Sequence, residues 1–193
     1  MTENVKRERI LEVAMGVLAG LAPLVVYLIT LPPSITFDDS GQIITAAAKL
    51  GISHPSGYPL ASLVGQAFTL VPFGSMAWRV NLASAGAATA CCVMLFFLLR
   101  GIFLDMAPGK RVAAAASAAA AALAFAFSRT FWSQAIIAEA YALNALMLAT
   151  VLYAAFNFVR SKDPRWGYLA AFVGGLALGA HTSSTLITIP VTI

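Results

Sequence analysis

Long apolar segments alternate with short polar ones along the whole chain, and this alternation predicts a bundle of membrane-spanning helices. A helix needs roughly 20 consecutive apolar residues to cross the hydrocarbon core of a bilayer. Runs of about that length predict spans at residues 10–31, 77–104, 112–128, 135–159 and 167–182. A further apolar run, "STLITIPVTI", is interrupted at Ile193, so we expect the sequence to be an N-terminal fragment.

Two shorter helices are predicted between the first and second spans, within an outer loop at residues 32–76. The stretch "DDSGQIITAAAKLG" is typical of a short helix, which Asp38 or Asp39 could cap at its start and Gly51 at its end. The second run, Tyr58 to Phe73, is apolar but short and has prolines near both ends. It either crosses the membrane or lies at its surface.

The basic residues decide between these alternatives, because lysine and arginine favour the cytoplasmic side of membrane proteins. If the run at 58–73 does not cross, nine of the twelve basic residues are cytoplasmic; if it crosses, only five are. The run is therefore predicted to be an interfacial helix. The N-terminus is then cytoplasmic, and the loop at 32–76 faces the non-cytoplasmic side.

Composition supports an all-α, polytopic membrane bundle forming a single transmembrane domain over residues 1–193, in contact with membrane lipids. Hydrophobic residues make up 60% of the chain and charged residues 10%, which excludes an ordinary soluble domain. The net charge of +4 comes from residues flanking spans, so no nucleic-acid partner is expected. Cys91 and Cys92 are adjacent in an apolar run and are interpreted as small packing residues.

Polar side chains gather at the non-cytoplasmic ends of the predicted spans. Glu139 is the most informative, because an ionisable group within a span is costly and usually functional. Helical spacing would place it on the same face as Trp132; the structural alternative is an ion pair with Arg79 or Arg129. The candidate site residues are Asp38, Asp39, Gln42, His54, Tyr58, Arg79, Arg129, Trp132, Gln134, Glu139, Tyr141 and His181.

Two classes of function fit this distribution. One is an enzyme acting on a lipid-linked substrate, with an acid as general base or metal ligand. The other is a proton-coupled transporter in which Glu139 carries the proton. Transporters commonly place their site near the bilayer midplane and contain internal repeats. Here the polar residues collect towards one face and no repeat is visible, which favours the enzyme.

Four successive blocks of the sequence resemble one known family. They are "FDDSGQIITAAAKLGISHPSGYPLASLVGQAF", "GSMAWRVNLASA", "FWSQAIIAEAYALNAL" and "GGLALGAHTSS". The family is a multi-pass membrane family, long catalogued as a domain of unknown function, that includes the transmembrane O-mannosyltransferase acting on plexin-type receptors. The resemblance implies the N-terminal part of a GT-C glycosyltransferase. Such an enzyme transfers a mannose-like sugar from a polyprenyl-phosphate donor to a protein or glycan acceptor outside the cytoplasm, and we expect it to reside in a bacterial inner membrane.

The resemblance also implies roles for individual residues. Asp39 matches the loop carboxylate that acts as base or binds a divalent metal, Mg²⁺ or Mn²⁺, and Glu139 is the second catalytic candidate. Gln42 departs from the family pattern, in which glutamate is common. The remaining candidates are assigned to substrate binding, and the leaving phosphate is expected to meet a metal or the side chains of His54, Arg79 and Arg129.

Overall fold

The computed structural model describes residues 3–53, 55 and 57–181. All regular secondary structure among these residues is helical, which confirms the all-α class. The helices are α1 (Glu3–Thr30), α2 (Ser40–Lys49), α3 (Pro59–Thr69), α4 (Met76–Met106), α5 (Arg111–Ala126), α6 (Arg129–Ala135), α7 (Tyr141–Ser161) and α8 (Pro164–Ala177).

Three of these helices, α1, α4 and α7, are long and apolar enough to cross a membrane, so the chain is a membrane protein. The α5–α6 pair would make a fourth span if counted as one, although its two helices are bent by 69°. Sequence analysis predicted five spans. The predicted span at 167–182 corresponds to α8, whose 14 residues fall short of a bilayer's thickness. Residue 182 lies outside the described residues.

Helix α4 is the centre of the bundle and packs against α1, α5 and α7. The main core contains Tyr27 and both cysteines, together with side chains of α6 and α7. Cys91 and Cys92 are free thiols, 1% and 0% exposed, in agreement with their predicted packing role.

The alanine-rich helix α5 packs through one face only. Its buried alanines, single or in adjacent pairs, recur about once per helical turn and contact Ala19 of α1 and Phe96 of α4. Small side chains let helix backbones approach closely in a membrane. The opposite face, including Ser117, is exposed. The helix is therefore interior to the bundle on one face only.

Helices α2 and α3 pack on the first turns of α4. Ile43, Ile44 and Ala47 of α2 form a cluster with Ala77 and Val80 of α4. At 11 residues, α3 is too short to cross a bilayer.

Helix α2 ends differently from the prediction. Leu50, rather than Gly51, adopts the left-handed conformation, with φ of 50°. Both backbone amides donate to the Ala46 carbonyl, so the end of the helix is closed by the main chain.

Long-range contacts define two chemically different ends of the bundle. The Tyr27 hydroxyl, near the end of α1, donates to the carbonyl of Ala126 at the end of α5, over 2.8 Å. This end carries α2, α3 and residues 127–140 and 178–181, and we call it the loop end. At the other end, Glu12 binds Arg100 and Arg111, and we call it the arginine end.

Candidate functional site

The turn that carries Asp38 and Asp39 is held by its neighbours. Asp38 has a positive φ of 62°, uncommon for a residue other than glycine. The buried Ser40 hydroxyl accepts hydrogen bonds from the backbone amide and hydroxyl of Thr36, at 3.2 and 3.1 Å. Asp39 is the N-cap residue of α2, yet its side chain makes no capping hydrogen bond. The capping interpretation of these acids is therefore wrong, and the Asp39 carboxylate is not used to close the helix.

Glu139 does not lie on a helix, which corrects the predicted span at 135–159. It belongs to an irregular segment, residues 136–140, between α6 and α7. The Ser84 hydroxyl of α4 pairs with this segment, since it accepts from the Glu139 amide and donates to the Glu139 carbonyl, both at 3.4 Å. These contacts replace helical hydrogen bonds that the break removes. The argument that Glu139 shares a helical face with Trp132 therefore fails.

The carboxyl groups of Glu139 and Asp39 interact although the residues are far apart in sequence. Burial raises the pKa of Glu139, and the negative charges of Asp39 and Asp38 raise it further. Hydrogen bonding from the backbone amides of Asp39 and Ala140 acts in the opposite direction. The net effect keeps Glu139 protonated to a higher pH than an ordinary glutamate.

One carboxyl oxygen of Glu139, Oε1, is buried without a hydrogen-bond partner in the described part of the chain. Glu139 also lines a cavity of about 20 Å³, together with Ser84, Ile43 and Leu143. A space of this size fits one water-sized group. The Oε1 atom can thus accept a hydrogen bond from a group inside this small, mostly apolar cavity.

An aromatic stack stands beside the carboxyl pair. The His181 ring lies between Tyr58 and Tyr141, with ring centroids 5.3 and 5.2 Å away. The backbone ties the stack together, because the Leu60 amide donates to the Gly179 carbonyl over 2.9 Å. The Tyr141 hydroxyl interacts electrostatically with the charges of Glu139, Asp39 and Asp38. The structure therefore brings six of the twelve predicted residues into one site at the loop end.

Two other predicted residues have structural contacts. Arg79 donates from Nε to the carbonyls of Phe73 and Gly74, both at 3.1 Å, and from Nη1 to that of Thr69 at 3.0 Å. It thereby satisfies one carbonyl at the end of α3 and two in the turn that follows. Trp132 donates from Nε1 to the Thr30 hydroxyl over 3.1 Å. Among the described residues, Glu139 forms no ion pair with Arg79 or Arg129, so the predicted pair is not found.

The remaining predicted residues are dispersed. Arg129 is exposed at the start of α6. Gln134 lines a cavity of about 420 Å³ that Tyr141 also borders. Gln42 is exposed and lines a different groove, with Lys49. His54 lies outside the described residues.

Sequence reasoning missed the residues that hold the site in place. Besides Ser40 and Ser84, Asn81 is fully buried and donates from Nδ2 to the Pro32 carbonyl over 3.0 Å. The available signal was a small polar side chain within an apolar run, as in "NLASAGAATA". Buried polar groups of this kind need partners, and here their partners are backbone groups of the loops.

Asp39 of the carboxyl pair is also the predicted metal ligand. Within the part of the chain that the structure describes, no three His, Cys, Asp or Glu side chains converge where they could hold an ion. Mg²⁺ usually binds one or two carboxylates together with water and substrate phosphates. Binding of Mg²⁺ or Mn²⁺ at Asp39 therefore stays a prediction.

Comparison with known proteins adds a family. Residues 39–193 match the family described as the protein O-mannosyl-transferase TMEM260 N-terminal domain. The chain is similar to the protein O-mannosyl-transferase TMEM260 of Mus musculus, with 33% identity over 167 residues, which is 86% of this chain and 22% of the relative. It is also similar to the protein O-mannosyl-transferase tmem260 of Dictyostelium discoideum, with 25% identity over 92% of this chain and 23% of the relative. The chain thus spans less than a quarter of either relative. No solved structure matches it.

Proposed function

Because the chain belongs to the family of protein O-mannosyl-transferase TMEM260 N-terminal domains, we propose that it forms the catalytic membrane region of a GT-C-type glycosyltransferase. The proposed reaction moves a mannose-like sugar from a polyprenyl phosphate to a hydroxyl group of a protein or glycan acceptor. The loop end faces the non-cytoplasmic side, where the acceptor enters. One observation carries the assignment: the matched family region contains a pair of interacting carboxyl groups at one end of a membrane bundle.

Asp39 is the general base in this proposal. Its side chain does not cap α2, and the charge of its carboxylate acts on Glu139. As the acceptor oxygen forms a bond to the anomeric carbon, Asp39 takes the hydroxyl proton. The bond from that carbon to the phosphate oxygen breaks, and its electron pair leaves with the polyprenyl phosphate. A positioned base of this kind contributes about 10²- to 10⁴-fold in rate.

Glu139 has the complementary role of hydrogen-bond donor. Its raised pKa favours the protonated form, whereas the base must be ionised to work. A protonated Glu139 can donate to an oxygen of the acceptor or of the leaving phosphate. A carboxyl group that burial keeps protonated can thus act as the donor beside a second carboxyl group that acts as the base.

The donor's lipid portion has a suitable place beside the site. A groove of about 700 Å³ runs past α3, and its lining includes Leu50, Ile52, Pro59 and Leu63. These apolar side chains suit a polyprenyl tail. Arg129 is the cation proposed to meet the phosphate, because it is exposed at the loop end, whereas contacts with backbone carbonyls fix the guanidinium of Arg79 against the turn after α3.

The test uses the full-length protein in membranes with labelled mannose on a polyprenyl phosphate and a protein acceptor. Asp39→Asn should reduce transfer at least about 100-fold, since it removes the base. Asp105→Asn is the matched control, because Asp105 is an exposed aspartate that pairs with Arg160 at the arginine end. Transfer by Asp39→Asn at the level of Asp105→Asn would remove Asp39 from the mechanism.

The transporter alternative makes a different prediction for Glu139→Gln. In sealed vesicles, a transporter would lose proton-coupled uptake in this variant. The transferase should instead lose sugar incorporation and show no change in proton flux. A loss of flux with normal incorporation would favour the transporter.

A further inference from the structure

A second, chemically different cavity lies at the arginine end, away from the carboxyl pair. It has a volume of about 500 Å³ and is formed between α1 and α4, with Arg111 of α5 at its border. Its charged lining consists of Arg9, Arg100, Arg111 and Glu12. Three arginines and one glutamate leave a net charge of +2 on this wall. None of these residues has a role in the proposed transfer reaction.

Glu12 holds two of the arginines in a fixed arrangement. Its buried carboxylate accepts a short hydrogen bond from Arg100 and two from Arg111, from Nε at 2.7 Å and from Nη2 at 3.3 Å. A guanidinium has five N–H donors, so both arginines keep donors that Glu12 does not engage. Arg9 is exposed on the same wall. The negative charge of Glu8 attracts the Arg111 guanidinium from outside the cavity.

The rest of the cavity is apolar and continues onto the outer surface of the bundle. Its lining includes Val13, Val17, Val93 and Phe97. Val13 is 60% exposed and Val17 55%, on the face of α1 that a membrane would cover. A cationic pocket with an apolar wall of this kind is complementary to an anionic headgroup joined to acyl chains.

We propose that this cavity binds an anionic phospholipid from the leaflet at the arginine end. The arginines bind the phosphodiester, as guanidinium groups match phosphate oxygens in a bidentate geometry. The acyl chains lie along the groove between α1 and α4. The apolar wall favours this occupant over a free phosphate ion, which would leave Val13, Val17 and Phe97 uncovered.

Native mass spectrometry of the delipidated full-length protein tests the assignment, with phosphatidylglycerol and phosphatidylcholine as probes. Phosphatidylglycerol should bind about tenfold more tightly, because phosphatidylcholine carries no net charge. Arg9→Gln should weaken phosphatidylglycerol about fivefold without disturbing the Glu12 ion pairs. Val17→Trp should weaken it by filling the apolar groove while every charge remains.

Arg165→Gln is the matched control. Arg165 is an exposed arginine at the start of α8, at the same end of the bundle but outside the cavity lining. It should leave binding unchanged. Equal affinity for the two lipids, an Arg9→Gln variant that behaves like Arg165→Gln, or normal binding by Val17→Trp would each overturn the proposal. Displacement of phosphatidylglycerol by an equal concentration of inorganic phosphate would also overturn it, because the groove would then contribute nothing.

Discussion

Asp39 and Glu139 are both carboxylic acids, and their different surroundings explain why they are given different roles. Glu139 sits on a small apolar cavity with one unpaired oxygen, which favours its neutral form. Asp39 is partly exposed in a turn fixed by Ser40. A buried carboxyl group beside a more exposed one is typical of acid–base sites.

Asp39→Asn should lower the pKa of Glu139. It removes the negative charge of Asp39, which raises this pKa more than the charge of Asp38 does, and it keeps the backbone amide of residue 39 that hydrogen-bonds to Glu139. Infrared titration of the protonated carboxyl band measures this shift, with Glu139→Gln identifying the band. In the wild type the band should persist above the pH range of an ordinary glutamate. In Asp39→Asn it should disappear at a lower pH than in the wild type.

Asp38→Asn is the control, since the charge of Asp38 has a smaller effect on Glu139 than that of Asp39. It should shift the band in the same direction by less. A larger shift in Asp38→Asn than in Asp39→Asn would mean that the carboxyl nearer to Glu139 has been misidentified.

For single residues, the sequence predicted which side chains form the site better than it predicted what those side chains contact. Tyr58, Tyr141 and His181 are predicted site residues, and the fold brings both tyrosine rings against the histidine ring. Arg79 was expected at the substrate, but backbone carbonyls at the end of α3 engage it. Such acceptors exist at every helix end and leave no mark in the sequence, so side-chain pattern alone could not reveal this use.

Helices α2 and α3 carry part of the site and are held to α4 by close packing at Gly65. A Cβ atom at this position would lie 2.8 Å from the Ala47 Cβ and 3.3 Å from a Val80 methyl group. Gly65→Val should therefore separate these helices and destabilise the protein by about 1–3 kcal/mol, the usual cost of overpacking. Thermal unfolding in detergent measures the change.

Gly175→Val is the matched control, because a Cβ at Gly175 meets nothing within 4 Å. It adds the same side chain to α8 without a clash. An unfolding midpoint for Gly65→Val equal to that of Gly175→Val would show that α2, α3 and α4 do not pack as closely as described.

The lengths of the apolar runs predict the long helices. They do not predict the break at residues 136–140. The residues "IIAEA" continue an apolar, helix-compatible run, so a single helix from residue 135 was the natural prediction. The break depends on contacts distant in sequence, those of Ser84 with Glu139 and of Ala138 with α2. Tertiary contacts of this kind override local helix propensity.

Across the whole molecule, the two ends of the bundle have opposite chemistry. The loop end has the acids and the aromatic stack, and the arginine end has the buried Glu12 with its two arginines. The positive-inside rule predicts that the arginine end is cytoplasmic. The proposed reaction requires the same orientation, because acceptor and sugar meet at the loop end.

Single-cysteine labelling in sealed vesicles of known orientation tests this topology. Thr45→Cys introduces an exposed thiol on α2 at the loop end, and Ser161→Cys introduces one at the end of α7, next to the Arg160–Asp105 ion pair. The native Cys91 and Cys92 can stay, because burial keeps them from an aqueous reagent. A membrane-impermeant maleimide should label Thr45→Cys only from the non-cytoplasmic side and Ser161→Cys only from the cytoplasmic side. If both were labelled from the same side, the two ends of the bundle would not lie on opposite sides of the membrane; if the sides were reversed, Asp39 would face the cytoplasm and could not act on an external acceptor.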